Sequence, residues 1–195
     1  MVETTRWFWV RHGPTHEDGF VGQRDVVPDL SNHAAIGRMS AFLPFGAVVL
    51  TSTLRQASAT ALRLGAGRAP LTMAPELREF DFGDWDGITA AEAAEADPEL
   101  SAAFWETPGM AAAPNGESWN RVALRVNMFI DRMNMAHKGK DIVAVSHIGV
   151  ILVALQRALG NRPDEAIKMH VNPLSVTEMT FAGGGWRVGR INHHP

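Results

Sequence analysis

Two histidines, two arginines and one acid are the residue types that a site for a tetrahedral oxyanion needs. Arg11 and Arg55 carry planar guanidinium groups, whose forked N–H donors match the oxygens of such an anion. His12 and His147 can each act as a nucleophile, an acid or a metal ligand. Glu79 lies in an aromatic run, where partial burial would raise its pKa and suit it to general acid catalysis. Each residue alone has a simpler structural explanation, so the prediction depends on whether the fold brings them together.

The elements that must position these groups are short apolar strands. Residues 7–10, 47–50 and 141–145 are apolar runs that predict buried strands, and each ends in polar residues that include the candidates. Helical patterns alternate with these strands, over residues 31–43, 56–64, 88–105 with a break at 97–98, 118–136 and 148–159.

This alternation predicts an α/β fold, a three-layer sandwich with a mainly parallel central sheet and helices on both faces. The alternating tail, residues 175–191, is expected to add antiparallel strand structure. In such sheets ligands bind at the carboxyl ends of the strands, which is where the candidate side chains stand.

Composition excludes several classes of protein. The 195 residues include no cysteine, which removes disulfides, thiolate zinc sites, iron–sulfur clusters and cysteine nucleophiles. The net charge of −3 gives no general drive towards nucleic acid or anionic lipid. No apolar stretch approaches the roughly 20 residues of a membrane helix, and no targeting segment is visible. We expect a cytoplasmic protein with a single domain over residues 1–195, either monomeric or homodimeric, without nucleic-acid or membrane partners.

Five blocks of the sequence resemble, in order, those of a known family. V-R-H-G-P-T at residues 10–15 resembles the R-H-G-x-T signature of the histidine phosphatase superfamily, in its phosphoglycerate-mutase-like branch. The other blocks are an arginine block at residues 50–61, an acid-bearing L-x-E-x-x-x-G-x-W-x-G at 77–87, P-N-G-E-S at 114–118 and V-A-V-S-H at 143–147. The triplet R-H-G alone is a weak signal, whereas the ordered set is specific.

The resemblance implies a phosphoglycerate mutase-like fold and a two-step phosphoryl transfer without a metal or a cofactor. His12 would attack phosphorus and become phosphohistidine. Arg11, Arg55 and His147 would bind the phosphoryl oxygens, and Glu79 would protonate the leaving alkoxide. The expected activity is hydrolysis of a small phosphorylated metabolite by a metal-independent phosphomonoesterase of the phosphatase type.

Several residues near the signature block are weighed as further contacts to the substrate. Thr15 is a further candidate phosphate ligand. Asp18 stands where many relatives carry an asparagine that contacts phosphate, but a carboxylate would repel a phosphate dianion, so Asp18 is not assigned to the pocket. Gln23 is expected to approach the phosphate instead. For Arg24 a surface ion pair with Asp25 is favoured over a contact with an acidic substrate.

A variable segment at about residues 80–118, the covering segment, is expected to cover the substrate. Phosphoglycerate mutases of this superfamily are usually longer, and no lysine occurs here between residues 69 and 136, which favours a phosphatase. G-Q-R-D-V at residues 22–26 also resembles a motif of α-ribazole phosphatases. Three alternatives stay open: a cofactor-dependent mutase-type phosphotransferase, a non-catalytic phospholigand-binding module, and a metallohydrolase using His12, Glu79 and His147.

Overall fold

The computed structural model describes residues 3–65 and 71–195, so residues 1, 2 and 66–70 of the expected domain lie outside it. The described strands are β1 (Thr4–Arg11), β2 (Val48–Thr51), β3 (Leu71–Met73), β4 (Asp141–Ser146), β5 (Val176–Ala182) and β6 (Gly185–Val188). The described helices are α1 (His33–Phe42), α2 (Arg55–Leu64), α3 (Ala90–Ala96), α4 (Pro98–Glu106), α5 (Trp119–Ala136), α6 (Ile148–Leu159) and α7 (Pro163–Ala166).

The described strands form a six-stranded sheet in the order β3-β2-β4-β1-β5-β6. β1, β2, β3 and β4 pair in parallel, whereas β5 pairs antiparallel with β1, and β6 pairs antiparallel with β5. This arrangement confirms the predicted mainly parallel α/β sheet with antiparallel strands from the tail.

Helices cover both faces of the sheet, and β1 shows why. Its side chains alternate between the faces, so Trp7 and Trp9 join one apolar core with residues of α5 and α6. Phe8 and Val10 join a second core with residues of α1 and α2. A strand that is buried on both faces of a sheet has a continuous apolar sequence, and residues 7–10 were predicted as a strand from such a run.

Helix ends follow the capping residues of the sequence. Asp97 ends α3, and its side chain accepts a hydrogen bond from the backbone N–H of Leu100 at 3.0 Å, so it also caps α4. Pro98 is then the first residue of α4, where its missing N–H does no harm. The predicted break at residues 97–98 is therefore correct. The four-residue α7 was not predicted because a helix of one turn has no periodicity to detect.

Within residues 3–65 and 71–195, none of the helices combines the length and the apolar composition that crossing a bilayer requires.

Candidate active site

The ends of β1 and β4 bring the two predicted histidines together. Arg11 pairs with Ser146 in the parallel register, and the backbone N–H of His12 donates to the Ser146 carbonyl at 3.0 Å. His12 and His147 are the next residues after these strands. Their ring centroids are 5.0 Å apart, with the ring planes inclined by 62°. The convergence expected from the sequence is therefore present for this pair.

His12 is held as a neutral ring with one nitrogen open to reaction. Its Nδ1 lies 2.7 Å from the carbonyl oxygen of Gly13. A carbonyl can only accept, so Nδ1 must carry the proton, and the Nε2 lone pair is left unprotonated. Burial, reinforced by the charge of Arg11, lowers the pKa of His12 to about 4. The ring is therefore neutral at neutral pH, with Nδ1 protonated and the Nε2 lone pair free, as a nucleophile requires.

The turn after His12 depends on a glycine. The N–H of Gly13 donates to Thr60 Oγ1 of α2 at 3.0 Å. A Cβ at Gly13 would lie 2.7 Å from Leu30 Cδ2 and 2.9 Å from the Asp29 carbonyl oxygen. The chain passes too close to these atoms for any side chain, so this glycine fixes the position of the Gly13 carbonyl that orients His12.

His147 is fully buried and bonded to a residue at the end of β2. Its Nε2 lies 2.8 Å from Ser52 Oγ. Burial holds the pKa of His147 well below its usual range, and the neighbouring His12 and Arg11 act in the same direction. The sequence alone predicts no role for Ser52, although its position at a strand end is a signal that could have indicated one.

Arg11 enters the site from the last position of β1. Its Nη1 donates to the Val171 carbonyl at 2.7 Å, and its Nε is buried with no acceptor among the described residues. Burial lowers the pKa of the guanidinium and the charge of Glu79 opposes this, but a guanidinium keeps its charge in proteins. Arg11 therefore offers a buried positive charge with a donor to spare.

Glu79 is buried, with both carboxylate oxygens bound to backbone amides. Oε1 accepts from the N–H of Phe80 at 2.9 Å, and Oε2 accepts from the N–H of Gly149, at the start of α6, at 3.0 Å. Burial raises the pKa of Glu79, and the two amide hydrogen bonds oppose that rise without cancelling it. Gly149, which the sequence motifs do not single out, is needed for this contact because a Cβ there would lie 2.4 Å from Oε1.

The other residues predicted for the site, Arg55, Gln23 and Thr15, make fewer contacts with the groups described above. Arg55 is the first residue of α2; its guanidinium is exposed and makes no hydrogen bond within the described part of the chain. Gln23 Nε2 donates to the backbone carbonyl of Glu79 at 3.3 Å, and its approach to the phosphate stays a prediction. Thr15 is half-buried in the loop after β1, and its hydroxyl has no hydrogen-bond partner among the residues described.

Arg24 and Asp18 lie on the surface. Arg24 forms ion pairs with Asp86 at 2.7 Å and Glu17 at 3.3 Å, so the favoured ion pair is present but the predicted partner, Asp25, is wrong. Asp25 instead accepts a hydrogen bond from the backbone N–H of Arg55 at 2.8 Å. It thereby holds the start of α2, a use of its charge that the sequence did not reveal. Asp18 is exposed.

An apolar cavity of about 120 Å³ lies beside the Glu79 carboxyl. Its walls include Phe82, Phe104 and Trp105 from the covering segment and Ile148 from α6. Trp105 lines this cavity, whereas Trp85 is buried against Phe104 and Phe20.

Two further features of the described residues bear on ligands. No cluster of three or more His, Cys, Asp or Glu side chains in residues 3–65 and 71–195 is arranged to hold a metal ion.

A groove of about 900 Å³, larger than the cavity beside Glu79, lies at the opposite edge of the sheet, between the start of β1, the end of α5 and the β5–β6 turn. None of the candidate site residues lines it.

Comparison with known proteins identifies the family. The model of the histidine phosphatase superfamily (branch 1) matches residues 7–194, so the chain belongs to this superfamily. The resemblance read from the five sequence blocks is thereby confirmed.

Individual relatives include named phosphatases. The chain is 34% identical to the adenosylcobalamin/α-ribazole phosphatase of Salmonella typhimurium over 152 residues, which are 76% of this chain and 69% of that protein. It is also 34% identical, over 197 residues, to a protein of Mycobacterium tuberculosis named as bifunctional, with 96% of this chain and 54% of that protein covered. The chain thus spans about half the length of the mycobacterial relatives it matches.

The fold is shared with solved structures. The α-ribazole phosphatase of Shigella flexneri superposes with a TM-score of 0.83 at 26% identity, covering 97% of this chain and 96% of the other. The predicted phosphoglycerate mutase-like fold class is therefore correct.

Proposed function

We propose that the protein hydrolyses phosphomonoesters through a phosphohistidine intermediate, without a metal ion. The observation that carries the proposal is the state of His12, a buried neutral ring whose Nδ1–H is engaged by Gly13 and whose Nε2 lone pair is unused. A neutral histidine with a free ring lone pair can act as a nucleophile. The relatives named as phosphatases support the same activity.

In the first step, His12 Nε2 forms a bond to phosphorus as the bond from phosphorus to the leaving oxygen breaks. In this step Glu79, whose pKa is raised by burial, is the group that transfers a proton to that oxygen. The phosphorylated ring then carries a positive charge, which the Nδ1–H···O=C contact to Gly13 stabilises. The leaving alcohol departs as a neutral molecule.

In the second step, water attacks phosphorus and the N–P bond breaks. The Glu79 carboxylate takes a proton from that water, so both His12 and Glu79 return to their starting states. Arg11, Arg55 and His147 would bind the phosphoryl oxygens as charge spreads in the transition state. The unpartnered Nε of Arg11 and the unengaged guanidinium of Arg55 are donors suited to that task.

The covering segment favours a substrate whose leaving group is apolar and carries no further negative charge. Residues 80–118 contain nine Asp and Glu residues and no Lys, Arg or His. Asp86 and Glu117 are paired with Arg24 and Arg125, and the net negative charge that remains repels a second phosphate or a carboxylate on the substrate. The apolar cavity beside Glu79 would accept the carbon skeleton of the leaving alcohol.

This charge distribution predicts a hydrolase rather than a phosphoglycerate mutase. The phosphoenzyme should react with water faster than with phosphoglycerate, since no cation of the covering segment retains the polyanion. A panel of phosphomonoesters and 3-phosphoglycerate, assayed with and without a bisphosphoglycerate primer, tests this. We expect phosphate release to exceed 2-/3-phosphoglycerate interconversion. Faster interconversion would make the protein a mutase, and binding without turnover of any ester would make it a phospholigand-binding module.

The apolar cavity predicts a preference that depends on Trp105. Trp105→Ala should lower kcat/KM for naphthyl phosphate by about 10-fold, because about 1–2 kcal/mol of aromatic contact is lost, and should change glycerol phosphate little. Trp186→Ala on β6 is the matched control, because Trp186 packs on Phe181 and does not line the cavity. Equal losses for both esters in the Trp105 variant would remove the cavity from substrate binding.

A further inference from the structure

A half-buried arginine on α5 holds the backbone that carries Glu79. Arg125 Nε and Nη2 donate to the two carboxylate oxygens of Glu117 at 3.0 and 2.8 Å. Its Nη1 donates to the carbonyls of Glu76 and Arg78 at 2.7 and 2.8 Å, and Nη2 donates to the carbonyl of Glu79 at 3.0 Å. These contacts use all five N–H donors that a guanidinium has.

Glu117 extends the same network to the other side of Glu79. Its Oε2 accepts from the backbone N–H of Asp81 at 3.1 Å, and its own N–H donates to the Asp81 carbonyl at 2.7 Å. The backbone is therefore fixed both before and after Glu79. We call Arg125 and Glu117 together the clamp.

The clamp matters because no regular element fixes the backbone that carries Glu79. The segment around it is irregular, with single 3₁₀ turns at Pro75–Leu77 and Gly83–Trp85, so no helix or strand ladder holds residues 78–82. The Glu79 carboxyl must meet the Gly149 amide at 3.0 Å, and a shift of the backbone would move it away from that amide. Misplacement of a reacting group by about 1 Å can lower a rate about 10²-fold.

We propose that Arg125, held by Glu117, is a positioning residue that keeps the Glu79 carboxyl where it can protonate the leaving group. This inference rests on the proposed function. A lysine has no planar fork and cannot donate to Glu117 and three carbonyls together, so the guanidinium and not only its charge is required. Consistent with its proximity, Arg125 also lowers the pKa of Glu79, against the larger effect of burial.

The test compares leaving groups in the burst phase of phosphoenzyme formation. Arg125→Lys should slow the burst with an alkyl phosphate by about 10–10²-fold, because the strongly basic alkoxide needs the proton of Glu79. The burst with nitrophenyl phosphate, whose phenolate leaves without that proton, should slow by less than about 3-fold. In a Glu79→Gln background, Arg125→Lys should have almost no further effect on the alkyl phosphate.

Arg132→Lys is the matched control. Arg132 lies two turns further along α5 and forms an exposed ion pair with the Glu76 carboxylate of the same segment at 2.5 Å, but it does not touch Glu79. It should change neither burst. Glu117→Gln is a second route to the same result, since it loosens the clamp while Arg125 is kept.

Equal losses for the two leaving groups, or losses that add to those of Glu79→Gln, would show that the clamp is only structural and would overturn the proposal. Failure of both clamp variants to fold, with Arg132→Lys folded, would have the same meaning. Failure of the proposed function is a separate result, because the wild-type protein would then form no phosphoenzyme from either ester.

Discussion

Replacing His12 by alanine is expected to abolish hydrolysis, with a fall in kcat on the order of 10⁵-fold. The reason is that Nε2 of His12 is the atom that forms the covalent bond to phosphorus, and no other group described in the site can take its place. His147 is engaged by Ser52 through Nε2, and the other buried groups are a cation and an acid. The measurement is steady-state phosphate release from nitrophenyl phosphate, with folding checked by circular dichroism.

His16→Ala is the matched control for this loss. His16 is four residues further along the chain, is exposed and contacts Asp29 on the surface at 3.0 Å, so its removal should leave kcat unchanged. Continued turnover by the His12 variant, at more than about a hundredth of the wild-type rate, would move the nucleophile to another residue, with His147 the first to examine.

Replacing Glu79 by glutamine is expected to produce a loss that depends on the leaving group. General acid catalysis is typically worth 10²–10⁴-fold, so phosphoenzyme formation from an alkyl phosphate should slow by about that factor. Formation from nitrophenyl phosphate should slow much less. The burst phase must be compared, because Glu79 also acts as the base in dephosphorylation and steady-state rates would fall for both esters.

Glutamine also leaves one backbone amide of Phe80 or Gly149 facing an N–H₂ group, at a cost of about 1–3 kcal/mol. The ratio of the two burst rates separates the chemical loss from this structural one. Asp84→Asn is the matched control, because Asp84 is an exposed acid of the same segment, hydrogen-bonded to Asn115. Equal burst-phase losses with both esters would assign Glu79 to binding or structure, and Asp81 would be the next acid to test.

The pKa shifts of His12 and Glu79 predict how kcat/KM depends on pH. As pH falls through about 4, His12 Nε2 gains a proton and kcat/KM should fall for every substrate. As pH rises through the raised pKa of Glu79, the acid is lost and kcat/KM should fall for alkyl phosphates. Above that pKa, kcat/KM for nitrophenyl phosphate should stay unchanged. An equal fall in kcat/KM for both esters at alkaline pH would contradict the assignment of Glu79 as the acid.

Much of the fold could be predicted because its signals are local. Apolar runs such as residues 141–145 and the break at Asp97 and Pro98 are visible in short windows of sequence. The convergence of His12 and His147 followed from a general property of parallel sheets, the shared edge at which their strands end.

The supporting contacts could not be predicted, because they join residues far apart in the sequence. Ser52 meets His147 across 95 positions, and Gly149 meets Glu79 across 70. Arg125 stands on the polar side of the amphipathic pattern of α5, where an arginine is usually solvated. Its part in the clamp depends on where the irregular segment that carries Glu79 folds against α5. The predicted partner of Arg24 was wrong for the same reason. Asp25, the nearest acid in the sequence, accepts a hydrogen bond at the start of α2, and Arg24 pairs with Asp86 instead.

The most direct test of the account is to trap the phosphoenzyme and locate the phosphoryl group. The wild-type protein should be quenched in base during turnover of a phosphomonoester in the presence of a strong chelator, digested, and read by mass spectrometry and phosphorus NMR. We predict acid-labile phosphate on Nε2 of His12, formed at the burst rate and undiminished by the chelator. Phosphate on another residue, no phosphoenzyme during turnover, or a burst abolished by chelation would contradict the account.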